Sequence, residues 1–363
     1  MRLLLVLSVA AALPAQQSPA EKLIEDGHWK RARSIVEAGY RQAPGDALWN
    51  FLLSQLRGAF GDRSTPLMLA EKAVELDGRT AKYHRQIAEV VGVTAQRAGA
   101  FQQLFLARRF RKEIDLALAC DPRDLQSLRD QLEYDLLAPG IVGGDPAKAE
   151  EAAAQIARID PVEGLLAHAR IAEFHKDPLA RESFLRQAAE APGPQYRARI
   201  ALARFYLEGS RTNLSAAAVQ AEAARALAPG RVDAYAVLAA IHADRGEWGR
   251  LDALLASVQR EVPDDAVAHY RAAERLLNAG RDPSRAEQYL LVYLGEESEG
   301  NQPTASEARW KLAQALEAQG RIDAAIEALQ ESLRLDPESK AAQDLKRLRG
   351  VRAGNATRST RQM

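Results

Sequence analysis

Six histidines, His28, His84, His168, His175, His242 and His269, are the side chains best suited to proton transfer or metal binding near neutral pH. His168 and His175 lie seven residues apart, two helical turns, so they could share a helix face. No Cys or acidic set completes a zinc site at a recognised spacing, and His-Glu-x-x-His is absent, so isolated histidines are expected. A Ser–His–Asp triad can be assembled from distant residues, but no Gly-x-Ser-x-Gly elbow points to one. The glycine-rich loop Ala138–Asp145 invites a phosphate-binding reading, because backbone N–H groups at a helix start bind anions. A phosphate loop needs Gly-x4-Gly-Lys followed by Ser or Thr, whereas Gly144 precedes Asp145 and Pro146. Asp145 as a cap with Pro146 at the first helical position is an ordinary helix start. Arg108-Arg109-Phe110-Arg111-Lys112 is the densest basic run, with Phe101 and Phe105 just before it. Glu113 and Asp115 follow and weaken its field, so a solvated helix face is favoured over binding of an acidic partner. These residues motivate no enzyme, cofactor or metal site.

The elements that must position these residues are helical. Lys plus Arg and Asp plus Glu both count 49, a net charge of zero that argues against a general nucleic-acid binder. Aromatics are 6% of the chain, and Leu and Ala dominate the apolar residues, which suits helix–helix packing. Cys120 is the sole cysteine, so no disulfide within the chain can form. Arg2, the apolar run Leu3–Leu13 and Leu13-Pro14-Ala15 read as an export signal over residues 1–15. The run is too short for a comfortable membrane span, which needs about 20 apolar residues, and no cysteine follows it to take a lipid. An uncleaved short anchor is the alternative.

Helix-ending signals recur along the rest. Pro44 to Gly78 and Pro229 to Pro263 are each 34 residues apart. Proline cannot continue a helix, so it punctuates the period. Within Val232–Pro263, Tyr235, Leu238, Ala239 and His242 precede Gly246, and Trp248, Leu251, Leu255 and Val258 follow it. Leu312, Ala313 and Leu316 before Gly320, with Ile322, Ala325 and Leu329 after it, repeat the arrangement. Spacings of three and four mark one buried face per helix. The period stretches to 44 between Gly78 and Pro122 and to 39 between Pro122 and Pro161, then shortens to 31 at Pro192. The surplus falls near Gly92–Leu106 and in Ala138–Asp145. Glu338–Arg349 reads as a capping helix with an Ala342, Leu345, Leu348 stripe, and residues 350–363 as a disordered basic tail.

The helix–turn–helix units with small residues, turn glycines and closing prolines resemble the tetratricopeptide repeat (TPR) family over roughly residues 18–349. The resemblance implies an all-α chain, a right-handed α-solenoid of about nine stacked helix pairs over residues 16–349. It also implies a scaffold or adaptor that binds a peptide or partner protein in its concave groove. The loop Ala138–Gly144 is similar to one in some bacterial envelope members, which implies a bacterial origin; with the export signal the expected location is periplasmic or extracellular. The alternative is a structural subunit of an envelope assembly that uses its convex face or insert. Members that clamp a chaperone's terminal carboxylate use Lys and Asn where this chain has Ala236 and Ala240 in one unit, and Trp310 and Gln314 in another. Alanines cannot hold a carboxylate. Counting back from Gly280 and Gly320 puts Tyr270 and Trp310 at the position that faces the groove in this family. Glu274 and Gln314 lie one turn further along. These four are the candidate partner-binding residues. The competing reading is that both rings fill the gap between helix pairs.

Overall fold

A computed structural model describes residues 18–208, 212–300 and 302–361, with side chains to 352. The expected export signal, residues 1–15, lies outside the described residues. Helices follow one another in pairs joined by tight turns, and among the described residues there is no strand. The pairs are α1 (Pro19–Glu25) with α2 (Trp29–Gln42), α3 (Ala47–Ala59) with α4 (Pro66–Leu76), and α5 (Ala81–Ala95) with α6 (Ala100–Cys120). Next come α7 (Leu125–Leu137) with α8 (Pro146–Ile159), α9 (Pro161–Phe174) with α10 (Pro178–Glu190), and α11 (Tyr196–Leu207) with α12 (Leu214–Leu227). The last are α13 (Val232–Arg245) with α14 (Trp248–Glu261), α15 (Val267–Asn278) with α16 (Pro283–Leu294), and α17 (Ala305–Ala318) with α18 (Ile322–Leu335). A final helix, α19 (Ala341–Arg361), covers the end. Most helices pack chiefly on their neighbours in sequence, and α13 packs strongly on α15 as well, so the chain is an α-solenoid.

Local chemistry sets the boundaries. Asp46, Asp124, Asp160, Asp177 and Asn213 accept hydrogen bonds from first-turn N–H groups that no helical carbonyl can reach. Prolines occupy the first helical position of α4, α8, α9, α10 and α16, where no N–H is needed. Asp160 ends α8 and caps α9 at once, so no loop separates them. Gly246 and Gly320, at φ +67° and +77°, make the left-handed turns that fold α14 back on α13 and α18 back on α17.

One large core runs from Ala169 to Leu348 with a small cluster of Tyr196, Ile200, Ala224 and Ala234 beside it, while residues 20–171 hold smaller separate clusters. One break falls within α6, between Phe110 and Leu118, at the first irregular period. One insertion lengthens α6 to 21 residues. The other forms a 3-10 turn, Gly140–Val142, pinned by the Tyr134 hydroxyl, which donates to the Val142 carbonyl at 2.5 Å. The side chain of Asp145 accepts from Ala147 N at 3.0 Å, so the glycine-rich loop is a helix start there. The end of the chain departs from expectation in two ways. The buried stripe of α19 is Ala341, Leu345 and Leu348, with Ala342 exposed. That stripe keeps the spacing of four and three that one helix face requires. The helix also runs to Arg361, so residues 350–361, expected to be disordered, have helical backbone. Missing hydrophobic periodicity removes packing, not helix propensity, and this stretch contains no proline.

Candidate functional site

The first helices of three successive pairs, α11, α13 and α15, line one common face. A cavity of about 600 Å³ is walled by Arg204 and Leu207 of α11, by Val232, Ala236 and Ala240 of α13, and by Val267, Arg271, Glu274 and Arg275 of α15. Ala236 and Ala240 give the wall a smooth apolar floor, and neither can bind an anion. The charged side chains stand around it in pairs. Arg271 bonds Glu274 at 2.8 Å, and Arg275 forks onto Asp244 with contacts of 2.5 to 3.0 Å.

The opposite wall comes from the far end of the chain. Ile24, Asp26, Gly27 and Trp29, from α1, the α1–α2 turn and the start of α2, face the cavity. The first pair is clasped there by the α14–α15 and α16–α17 loops. Arg31 donates to both carboxylate oxygens of Asp264, at 2.6 to 3.1 Å. Lys30 Nζ reaches the Asp264 carbonyl at 2.7 Å and Glu296 at 3.1 Å, and Arg33 reaches Glu297 at 2.9 Å. Backbone bonds add to these. Lys30 N donates to Glu299 Oε2 at 2.7 Å, and Gly300 N donates to the Ala59 carbonyl at 3.0 Å. Gly300 lies against the Trp29 indole so closely that a Cβ would stand 2.6 Å from Nε1. The first pair therefore closes back on the later units, and the cavity is bounded by that pair and by the units from α11 to α15.

Two carboxyl groups of this clasp are buried. Glu299 is 2% exposed and its Oε1 has no hydrogen-bond partner among the described residues; burial pushes its pKa up to about 7. Asp265, 5% exposed, accepts from Val267 N at 2.8 Å and from Gln302 at 2.6 Å, and burial raises it to about 6. No sequence pattern announced this clasp, since its partners are more than 230 residues apart. The one local signal is opposite charge, Lys30-Arg31-Ala32-Arg33 against Asp264-Asp265 and Glu296-Glu297.

The four candidate residues separate. Glu274 lines the cavity. Tyr270 is 4% exposed, its ring 5.2 Å from that of Tyr293 on α16, and burial raises its hydroxyl above the usual phenol range. Trp310 is half-buried against α19, where its indole N–H donates to Asp344 at 2.8 Å. The ammonium groups of Lys311 and Lys340 stand 5.1 and 5.7 Å from its ring. Gln314 is half-buried one turn on. Tyr270 and Trp310 are thus held in the gaps between helices, and the structure does not bring the four together.

The histidines are dispersed as well. His84 bonds Glu113 at 2.9 Å, His242 bonds Glu247 at 2.7 Å, and His168 stacks on Phe184. His269 is buried and pushed down to about 4. Among the described residues no three His, Cys, Asp or Glu side chains cluster as metal ligands would. No described helix is long and apolar enough to cross a membrane.

Residues 306–348 match the sequence profile of the tetratricopeptide repeat. No curated protein matches the chain. Among solved structures the fold is similar to that of yeast Tom70, with 12% identity over 92% of this chain and 87% of that one and a TM-score of 0.50. A tetratricopeptide repeat protein from Parabacteroides merdae aligns at 12% identity over 72% of this chain and 98% of that one, with a TM-score of 0.44. The chain thus carries a tetratricopeptide repeat at residues 306–348 and extends its helix-pair architecture through the described residues as a TPR-like α-solenoid.

Proposed function

We propose that this chain is an exported, non-catalytic scaffold that holds a peptide or partner protein in the cavity between α11, α13 and α15. The observation that carries the reading is the cavity itself, about 600 Å³, with an apolar floor at Ala236 and Ala240 and charged groups at its edge. Such a surface suits a segment anchored by apolar side chains and oriented by a few polar contacts. Arg271 and Glu274 are partly exposed and pair with each other, so replacing both by alanine removes wall polarity without orphaning a buried charge. The double variant should melt like the parent and lose the proteins that the parent captures from an envelope extract. Capture unchanged by the double variant would reject the cavity as the binding site.

Export rests on Arg2, Leu3–Leu13 and Leu13-Pro14-Ala15. Sequencing of the mature protein should begin near Gln16, and intact Met1 in a cytoplasmic fraction would contradict export. A second reading, a structural subunit of an envelope assembly, is favoured by the insert, which exposes Phe101 and Phe105.

A further inference from the structure

The α5–α6 hairpin exposes two aromatic rings that the fold does not use. Phe101 is 85% exposed and Phe105 is 69% exposed. Along α6, Phe101, Phe105, Arg108 and Lys112 are spaced by four, three and four residues, which places them in one stripe, and all four are exposed. The opposite face does the packing, with Leu106 and Phe110 set against Ala70, Ile87 and Val91. No acidic residue occurs from Val90 through Lys112, while Arg97, Arg108, Arg109, Arg111 and Lys112 do. Arg109 is paired with Glu71, and Arg111 with Asp115 and Asp135. Arg97, Arg108 and Lys112 have no acidic partner among the described residues. Glu113, the next acid, is turned inward onto His84.

The hairpin also projects. Gly92 faces the Phe110 ring, where a Cβ would stand 3.3 Å away. From that level α5 continues three residues and α6 ten, so the start of α6 overhangs the end of α5 by about 10 Å. Phe101 in turn leads Arg108 by seven residues, again about 10 Å along the axis. An apolar tip with a cationic collar behind it has the dimensions of a lipid interface, where rings enter about 5–10 Å and cations stay with the headgroups. A projecting tip without a groove suits a fluid surface, which needs no shape complementarity, better than a folded partner, which does. The whole chain is electrically neutral, so the attraction resides in this hairpin.

The geometry points to a membrane-surface anchor. Phe101 and Phe105 enter the interface of an anionic bilayer while Arg97, Arg108 and Lys112 meet headgroup phosphates. The test is sedimentation of the full chain with vesicles of phosphatidylcholine alone and of phosphatidylcholine mixed with phosphatidylglycerol. Retention is expected on the anionic vesicles, weakening as salt is raised. Phe101→Ser with Phe105→Ser, and separately Arg108→Glu with Lys112→Glu, should each weaken retention by about tenfold or more with unchanged melting. No retention on anionic vesicles, or retention that survives the phenylalanine substitutions, would overturn the anchor. Dimerisation, or capture of an acidic protein without lipid, that disappears in the phenylalanine variant would overturn it in favour of a protein-binding surface.

Discussion

Replacing Tyr270 by alanine is expected to destabilise the solenoid by about 3–5 kcal/mol, the usual cost of deleting a buried aromatic ring. Tyr270 is 4% exposed and packs on Tyr293, whose hydroxyl donates to the Pro303 carbonyl at 2.5 Å. The pair ties α15 to α16 and to the entry of α17. Its loss would open a cavity inside the continuous core, where neighbours are fixed from both sides. Tyr270→Phe should stay within about 1 kcal/mol of the parent, because it keeps the ring. Trp310→Ala should cost less than Tyr270→Ala, since Trp310 is half-buried and its Asp344 bond sits at the end of the array. Chemical denaturation of the three variants checks the order. A Tyr270→Ala protein as stable as the parent would show that the ring is not part of the core.

Reversing Arg31 to glutamate is expected to open the ring between the first pair and the α14–α15 loop. Arg31 makes a forked, charge-assisted contact with Asp264, and the variant would set two carboxylates against each other there. The expected loss is about 1–3 kcal/mol of clasp energy, held at the low end by the partial exposure of Arg31. The readouts are a larger radius of gyration in solution scattering and faster proteolysis near the α1–α2 turn. Asp264→Arg in the same chain should restore both, because the swapped charges attract again. An unchanged radius in the single variant would mean that the clasp does not depend on this pair.

The clasp should also respond to pH. Glu299 and Asp265 have folded values of about 7 and about 6, above their ordinary values, because burial disfavours the charged forms. Lys30 on α2 tempers the rise, and Asp264 beside them adds to it. A raised carboxyl value means that the folded chain holds the proton more tightly than the unfolded chain. The stabilisation is present below the unfolded values and is lost as pH rises through the folded ones, from about pH 4 to about pH 7. Melting should therefore be higher near about pH 5 than near about pH 8, and Glu299→Gln should flatten the difference by about 1–3 kcal/mol.

Sequence alone determined the helices and their pairing. Val232–Pro263 and Ser306–Pro337 each carry their own apolar stripe, turn glycine and closing proline, and every one of those signals acts within a few residues of itself. The same locality accounts for reading Asp145 and Pro146 as a helix start rather than as part of a phosphate loop. Which side of a helix looks into the cavity was less legible. Arg271 and Glu274 line it, while Tyr270, one residue before Arg271 and so about 100° round the axis, packs on Tyr293. A register counted from a turn glycine cannot resolve that rotation. Ala341 in place of Ala342 on α19 is the same one-residue error. Only the tertiary structure decided that Arg31 meets Asp264 and that Gly300 meets Ala59. Small rotations between successive pairs add up along the array, and their sum, which no single repeat encodes, brings the first pair back against the loops flanking α15 and α16.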